Sequence, residues 1–498
     1  MKRILGLAQD CIRRAACGGA LRCSLALAAV ASTAAAQGKA LDRDLTPPPG
    51  PTPKLHVPTW TRATLSNGAE LVVTQKHDLP LVAFSIDFIG GSYSYEPAAK
   101  LGVASFTAQM LSEGTTTRSA DELSDAQQLL GTSIAAFVSG ESGSIRFTAL
   151  KSKFEPALAL LADLLVNPIF PAPALERIRG RTLVTLAQQK DQPNAIATNV
   201  FARTVYGDAH PYGRVVTEQT VRAVTRDDVV AFHRAYYRPG RAVIAVTGDV
   251  DPRAVRAQVE KALAGWAAGG ERPTFAYPAV PAPRARAIYL IDKPKAAQSV
   301  FEIGEPGPGR DTPDYYALEV MNNLLGGLFQ SRLNHDIREV KGYSYGVGSS
   351  FAFGRGPGAF NASGGIVTAK SDSALIAFMT HFRGVQGSIP FTDDEITQGK
   401  ESLIQSLPAR FSSVNGIGNA VASIYTQALP ETFYQDFAGK IAAVGRDDLV
   451  RVARKYIDLE HLNIVIVGDR ATIEGPLRQT GIAPIVVLDA DGKPVVVP

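Results

Sequence analysis

Between positions 82 and 88 large apolar residues alternate with smaller or polar ones: Val82, Phe84, Ile86 and Phe88 fall on one side, Ala83, Ser85 and Asp87 on the other. A period of two predicts a strand with one buried face, which Gly90-Gly91 ends. A helical pattern over 98–112 follows. Next comes a hairpin whose arms, 134–138 and 144–150, are joined by Ser139-Gly140-Glu141-Ser142-Gly143. Apolar residues spaced three and four apart predict helices near 154–165, 174–191 and 195–206. A second series contains a strand over 299–303, a Gly/Pro turn, helices over 313–325 and 329–339, and a strand over 343–353.

The two series belong to an internal repeat. Arg226-Asp227-Asp228-Val229-Val230 opens a helical pattern that ends at Ala235-Tyr236-Tyr237, and the apolar run 242–246 and Gly248-Asp249 follow. Arg446-Asp447-Asp448-Leu449-Val450 opens another that ends at Lys455-Tyr456-Ile457, followed by the run 463–467 and Gly468-Asp469, an offset of 220 residues (446 − 226). Paired aspartates suit the positive end of a helix dipole, so each copy is locally coherent. The repeat predicts two homologous halves, 59–278 and 279–498. Strands and helices are grouped rather than strictly alternating, so each half is expected to be α+β, a largely antiparallel sheet with helices packed on one face.

Composition narrows the function classes. With 498 residues, 45% of them apolar and 20% charged, the chain has core material for a globular protein of several domains. Its net charge of +4 resides in the first 36 residues, where Lys2, Arg3, Arg13, Arg14 and Arg22 face one acid, Asp10. The remainder is neutral, which leaves no electrostatic case for nucleic acid. The basic start, the apolar run 23–31 and Ala34-Ala35-Ala36 before Gln37 read as a secretory signal over 1–36, so the expected location is the periplasm. All three cysteines, Cys11, Cys17 and Cys23, fall inside it, so the processed chain has no thiol for disulfides, zinc or nucleophilic catalysis. Residues 37–58 are Pro-rich and read as an extended linker. No other apolar stretch reaches the ~18 residues needed for a membrane span.

A resemblance enters with the motifs. The stretch from Leu101-Gly102-Val103-Ala104-Ser105 to Ser112-Glu113-Gly114-Thr115 is similar to the zinc helix of the pitrilysin and insulin-degrading-enzyme (insulinase) peptidases. His210-Pro211-Tyr212-Gly213, Tyr236-Tyr237-Arg238-Pro239, Ser331-Arg332-Leu333 and Arg338-Glu339-Val340-Lys341-Gly342-Tyr343-Ser344-Tyr345 extend the likeness across nearly all of 60–498. The family carries His-x-x-Glu-His, two imidazoles for zinc and a glutamate that activates its water. The corresponding positions here are Ser105, Ala108 and Gln109, and the third ligand, a glutamate, would fall at Val184, Thr185 or Leu186. A hydroxyl and an amide do not replace imidazole, and Ala108 abstracts no proton. The seven histidines include no pair three or four apart.

The resemblance also implies that Arg338 and Tyr345, seven apart, reach the substrate near a zinc site. Guanidinium and phenol can both donate hydrogen bonds to a peptide carbonyl or to the charge that develops on it. A degenerate zinc motif beside a retained Arg/Tyr pair resembles the zinc-free chain of a split bacterial peptidase. The expectation is therefore a non-catalytic subunit forming half of a clamshell chamber, with zinc in a homologous partner, none in this chain, and extended peptides as substrate. The rival expectation is a non-enzymatic scaffold or peptide-binding protein of the same fold. A remote one is a serine hydrolase using Ser344, since Gly342-Tyr343-Ser344-Tyr345-Gly346 satisfies Gly-x-Ser-x-Gly; that motif needs a strand leading into a helix, whereas this context predicts the reverse. Gly304-Glu305-Pro306-Gly307-Pro308-Gly309 is glycine-rich, but its prolines remove amide donors and it reads as a turn.

Overall fold

A computed structural model describes residues 55–495. The expected leader, 1–36, and positions 37–54 of the Pro-rich segment lie outside them. At the end of that segment Leu55 and Val57 are half-buried and pack against the core.

Two six-stranded sheets organise the described residues. The first contains β1 (Trp60–Thr64), β2 (Glu70–Gln75), β3 (Leu81–Ile89), β4 (Ala135–Val138), β5 (Ser142–Leu150) and β6 (Ala242–Gly248), in the order β1-β2-β6-β3-β5-β4. The second contains β7 (Ala287–Asp292), β8 (Gln298–Pro306), β9 (Ser344–Phe351), β10 (Ala359–Val367), β11 (Asn463–Gly468) and β12 (Ile485–Leu488), in the order β12-β7-β11-β8-β10-β9. Read from β2 and β7 onward the two orders correspond strand for strand, and β6 and β11 are the repeated strands that end in Gly248 and Gly468. One edge differs: β1 runs antiparallel to β2, whereas β12 runs parallel to β7. The pairs β2–β6 and β7–β11 are parallel and the inner pairs β3–β5 and β8–β10 antiparallel, so each half is mixed α+β. The alternation over 82–88 becomes β3, whose Phe84 lies opposite Phe147 of β5 with ring centroids 5.3 Å apart.

The helices that matter below are α1 (Val103–Met110), α2 (Phe154–Val166), α3 (Ala172–Gln189), α4 (Pro193–Tyr206), α5 (Arg226–Tyr236), α6 (Asp393–Arg410), α7 (Val414–Thr426) and α8 (Arg446–Tyr456). The expected α+β architecture of each half is present, and beyond that expectation the second face of each sheet is covered too. Helix α7 of the second half lies on β6 and β3 of the first sheet, and α4 of the first half lies on β8 and β11 of the second. In β6, Ile244 and Val246 join the core of their own half, while Val243 and Ala245 join Ile417, Ala420 and Val421 of α7. In β11, Val465 and Val467 meet Ile196, Val200 and Phe201 of α4. Burying both faces of a central strand explains its continuous apolar run. Each fully buried Val or Ile side chain contributes about 1.5–3 kcal/mol, so the exchanged helices tie the halves into one folding unit.

Two other expectations shift. The helix predicted over 98–112 begins only at Val103, because Gly102 turns left-handed (φ 105°) after a short turn at Ala98–Lys100. The segments over 313–325 and 329–339 are interrupted by widened helical turns at Asn323–Gly327 and His335–Val340. At the first of these Gly326 packs so closely on the Ser349 backbone of β9 that a side chain would collide with it.

Candidate functional site

The degenerate motif lies on α1. Glu96 holds the start of this helix: one of its carboxylate oxygens accepts from the amides of Gly102 (3.0 Å) and Ala104 (2.7 Å). Val103, Ala104, Phe106 and Met110 are buried, which turns Ser105 and Gln109 outward one turn apart. There they bond to each other, Gln109 Nε2 donating to Ser105 Oγ at 3.1 Å. Ala108 and Gln109 line a cleft of about 250 Å³ together with Glu113, Ala136 of β4 and Arg181 of α3. Ser105 lines a neighbouring cleft of similar size instead.

Thr185 does not face this cleft. It is exposed, and its hydroxyl donates to the Arg181 carbonyl of its own helix (3.1 Å). The residue that α3 contributes is Arg181, one turn earlier, and Arg177 of the same helix is ion-paired with Glu113. Spacing counted from the motif missed Arg181; the i−4 relation to Thr185 was the signal that could have found it. A hydroxyl, a methyl and an amide beside a guanidinium do not fit zinc, which takes thiolate, imidazole or carboxylate and is repelled by a fixed cation. Among the described residues no three His, Cys, Asp or Glu side chains converge into a group able to hold a metal ion.

Arg338 and Tyr345 sit at the other end of the chain, on either side of one turn. Arg338 lies in the widened turn His335–Val340, and Tyr345 is the second residue of β9, the edge strand of the second sheet. Between them Gly342 adopts the left-handed conformation (φ 64°) and the Tyr343 amide returns to the Ile337 carbonyl (2.9 Å), reversing the chain in two residues. The Arg338 guanidinium is half-buried, stacks over Phe329 at 4.4 Å and contacts Glu339 at 3.2 Å. Tyr345 is 89% exposed, so its phenol is free to meet another molecule. The α1 clefts and the cleft beside Tyr345 are separate, and neither contains residues of the other set.

The preceding segment is clamped. Arg332 makes a two-pronged ion pair with Glu395 of α6 (2.7 and 2.8 Å) and donates to the carbonyls of Ile389 (2.6 Å) and Pro390 (2.9 Å). This pairing holds the Glu395 carboxyl down at about 2.

The remaining motif residues have structural partners. Ser344 Oγ donates to the Gly365 carbonyl (2.7 Å) and accepts from the Gly346 amide (2.9 Å); it lies on a strand that follows a helical turn, the reverse of a nucleophile elbow. His210 is buried against Tyr206 and Tyr212, burial pushes its pKa down, and Nδ1 accepts from the Tyr212 amide at 3.1 Å. Among the described residues no helix is long and apolar enough to cross a membrane.

Comparison with known proteins matches this fold. The family model described as insulinase (peptidase family M16) matches residues 71–216, and the one described as peptidase M16 inactive domain matches 223–403. An uncharacterized zinc protease of Streptomyces coelicolor is 28% identical over 407 residues, covering 80% of this chain and 87% of its own. One from Bacillus subtilis is 27% identical over 361 residues, covering 71% and 85%. The crystal structure of a peptidase M16 inactive domain from Pseudomonas fluorescens superposes with a TM-score of 0.75 at 26% identity, covering 82% of this chain and 98% of that one. A protease from Helicobacter pylori has the same fold, with a TM-score of 0.76 at 18% identity over 83% of this chain and all of its own. With both family models matched in order along two sheets of corresponding topology, the chain belongs to the insulinase family of M16 peptidases.

Proposed function

We propose that this chain is the zinc-free subunit of a two-chain zinc peptidase of the periplasm, paired with a homologue that carries the metal and the general base. One observation supports this reading above the others. The positions that would bind metal and activate water hold Ser105, Ala108, Gln109 and Thr185, with the Arg181 guanidinium beside Ala108 and Gln109, whereas Arg338 and the exposed Tyr345 are retained. In the complex this chain would form half of a closed chamber. Arg338 and Tyr345 would donate hydrogen bonds to the carbonyl of the scissile peptide, and these would strengthen as negative charge develops there. Strands β4 and β9 end their sheets, so an extended peptide could add to an open edge and be recognised by backbone and shape. Processing at 36 would deliver the chain to the partner's compartment.

Co-expression with a zinc-bearing homologue tests the reading. The expected result is peptidase activity in the purified complex that neither chain has alone. A partner fully active without this chain would overturn it and favour the scaffold.

A further inference from the structure

Away from the three clefts described above, the two halves meet over a fourth, of about 630 Å³, within the range of small-molecule sites. Its walls are aromatic: Phe88 and Phe275 on one side, Tyr315, Tyr316, Phe353 and Phe433 on the other. Three cations reach into it, each seated on a ring. Arg310 lies 3.4 Å from the Tyr315 centroid, Arg355 4.5 Å from that of Phe275, and Lys440 5.2 Å from that of Tyr316. Among the described residues, no carboxylate lies within salt-bridge distance of any of the three, whereas other arginines such as Arg62, Arg118, Arg332 and Arg451 are ion-paired.

The acids of the cleft do not answer them. The Glu141 carboxylate accepts from the Arg355 amide (3.0 Å) and from the Tyr212 hydroxyl, so it is spent on joining the halves. Asp311 is exposed at the rim. Glu319 is half-buried; burial raises its carboxyl while the Arg310 and Arg410 charges act the other way, and it stops short of an ion pair with Arg310. Arg355 itself is half-buried; burial works against its charge, the Glu141 carboxylate offsets this only from beyond salt-bridge distance, and a bound anion would offset more of it. Of the Gly/Pro run expected to be a turn, Gly304, Glu305 and Pro306 instead end β8, paired with β10, and only 307–309 form the turn that delivers Arg310, which the peptidase reading leaves without a role.

We propose that this cleft between the halves binds a small ligand that joins an anionic group, carboxylate or phosphate, to a flat aromatic body. The anion takes forked hydrogen bonds from Arg310 and Arg355, with Lys440 at the mouth, and the ring packs between Phe275 and Phe353. Neither the anion nor the ring alone satisfies both walls.

Titration calorimetry of the full chain with phenyl phosphate, phenylacetate, inorganic phosphate and benzyl alcohol tests this. One of the two aromatic anions should bind with a stoichiometry of one, about tenfold or more tighter than inorganic phosphate and benzyl alcohol, and which of them binds identifies the anion. Arg310→Gln and Arg355→Gln should each weaken that binding about tenfold or more. Lys440→Ala, at an exposed position, should weaken it severalfold with the melting temperature of the free protein unchanged, so the test survives if an arginine variant does not fold. No binding of either aromatic anion at millimolar concentration, or equal binding by wild type and Lys440→Ala, would overturn the assignment.

Discussion

The clamp at Arg332 offers a perturbation whose size follows from the structure. Glu395→Gln removes the charge of the partner carboxylate and keeps its shape, including the bond by which Glu395 caps α6 at the Thr392 amide (2.7 Å). A carboxyl held at about 2 rather than the ordinary 4.5 corresponds to about 3.4 kcal/mol of preference for the ionised form. A third of that side chain remains in water, and screening reduces the contribution to about 2 kcal/mol. The folded pKa is the depressed one, so this stability is present in full above pH 4.5 and is lost as the pH falls toward 2. Urea unfolding should therefore show Glu395→Gln less stable than wild type by about 2 kcal/mol at pH 7, and by less than half of that at pH 3. Arg332 fixes the segment that leads into Arg338, so in the complex with the partner the variant should also lower turnover. An equal loss at both pH values, or a loss below about 0.5 kcal/mol at pH 7, would refute the claim that the ion pair anchors this segment.

Further expectations follow from the same geometry. In the complex, Arg338→Ala should lower kcat by about a hundredfold with little change in KM, and Tyr345→Phe by about tenfold, measured on a quenched fluorescent peptide. Unchanged turnover in both would return the pair to a structural role. The triple variant Ser105→His, Ala108→Glu and Gln109→His should still fail to retain stoichiometric zinc after dialysis, because Thr185 supplies no third ligand and Arg181 lines the cleft; metal analysis decides this. Burial raises the Glu305 carboxyl to about 8, above its unfolded value, so the stability it provides in its protonated form is lost as the pH rises through that range. Glu305→Gln should accordingly gain on wild type by about 2 kcal/mol or more between pH 5 and pH 8, read from urea midpoints. Gly91→Ala would drive a methyl into the Ser139 carbonyl of the hairpin turn and should cost about 1–3 kcal/mol in thermal or urea unfolding.

What the amino-acid order determined by itself was everything with a short period. The alternation at Val82 to Phe88 specified β3, the Asp pairs at 227–228 and 447–448 marked the starts of α5 and α8, and the 220-residue repeat implied two sheets of one plan. The substitutions at 105, 108 and 109 were equally plain, since residue type decides what can hold a metal wherever the helix lies. Only the tertiary structure decided which surfaces meet. The pattern of α4 and α7 shows one apolar face on each, but not that each crosses to the other half's sheet, because periodicity orients a helix about its own axis and names no partner. For the same reason sequence spacing pointed to Thr185 where the packing of α3 presents Arg181, and nothing local to Phe329 shows that it covers Arg338. The clefts likewise depend on contacts between residues far apart in the chain, such as Glu141 with Arg355, which only the packing of one half on the other creates.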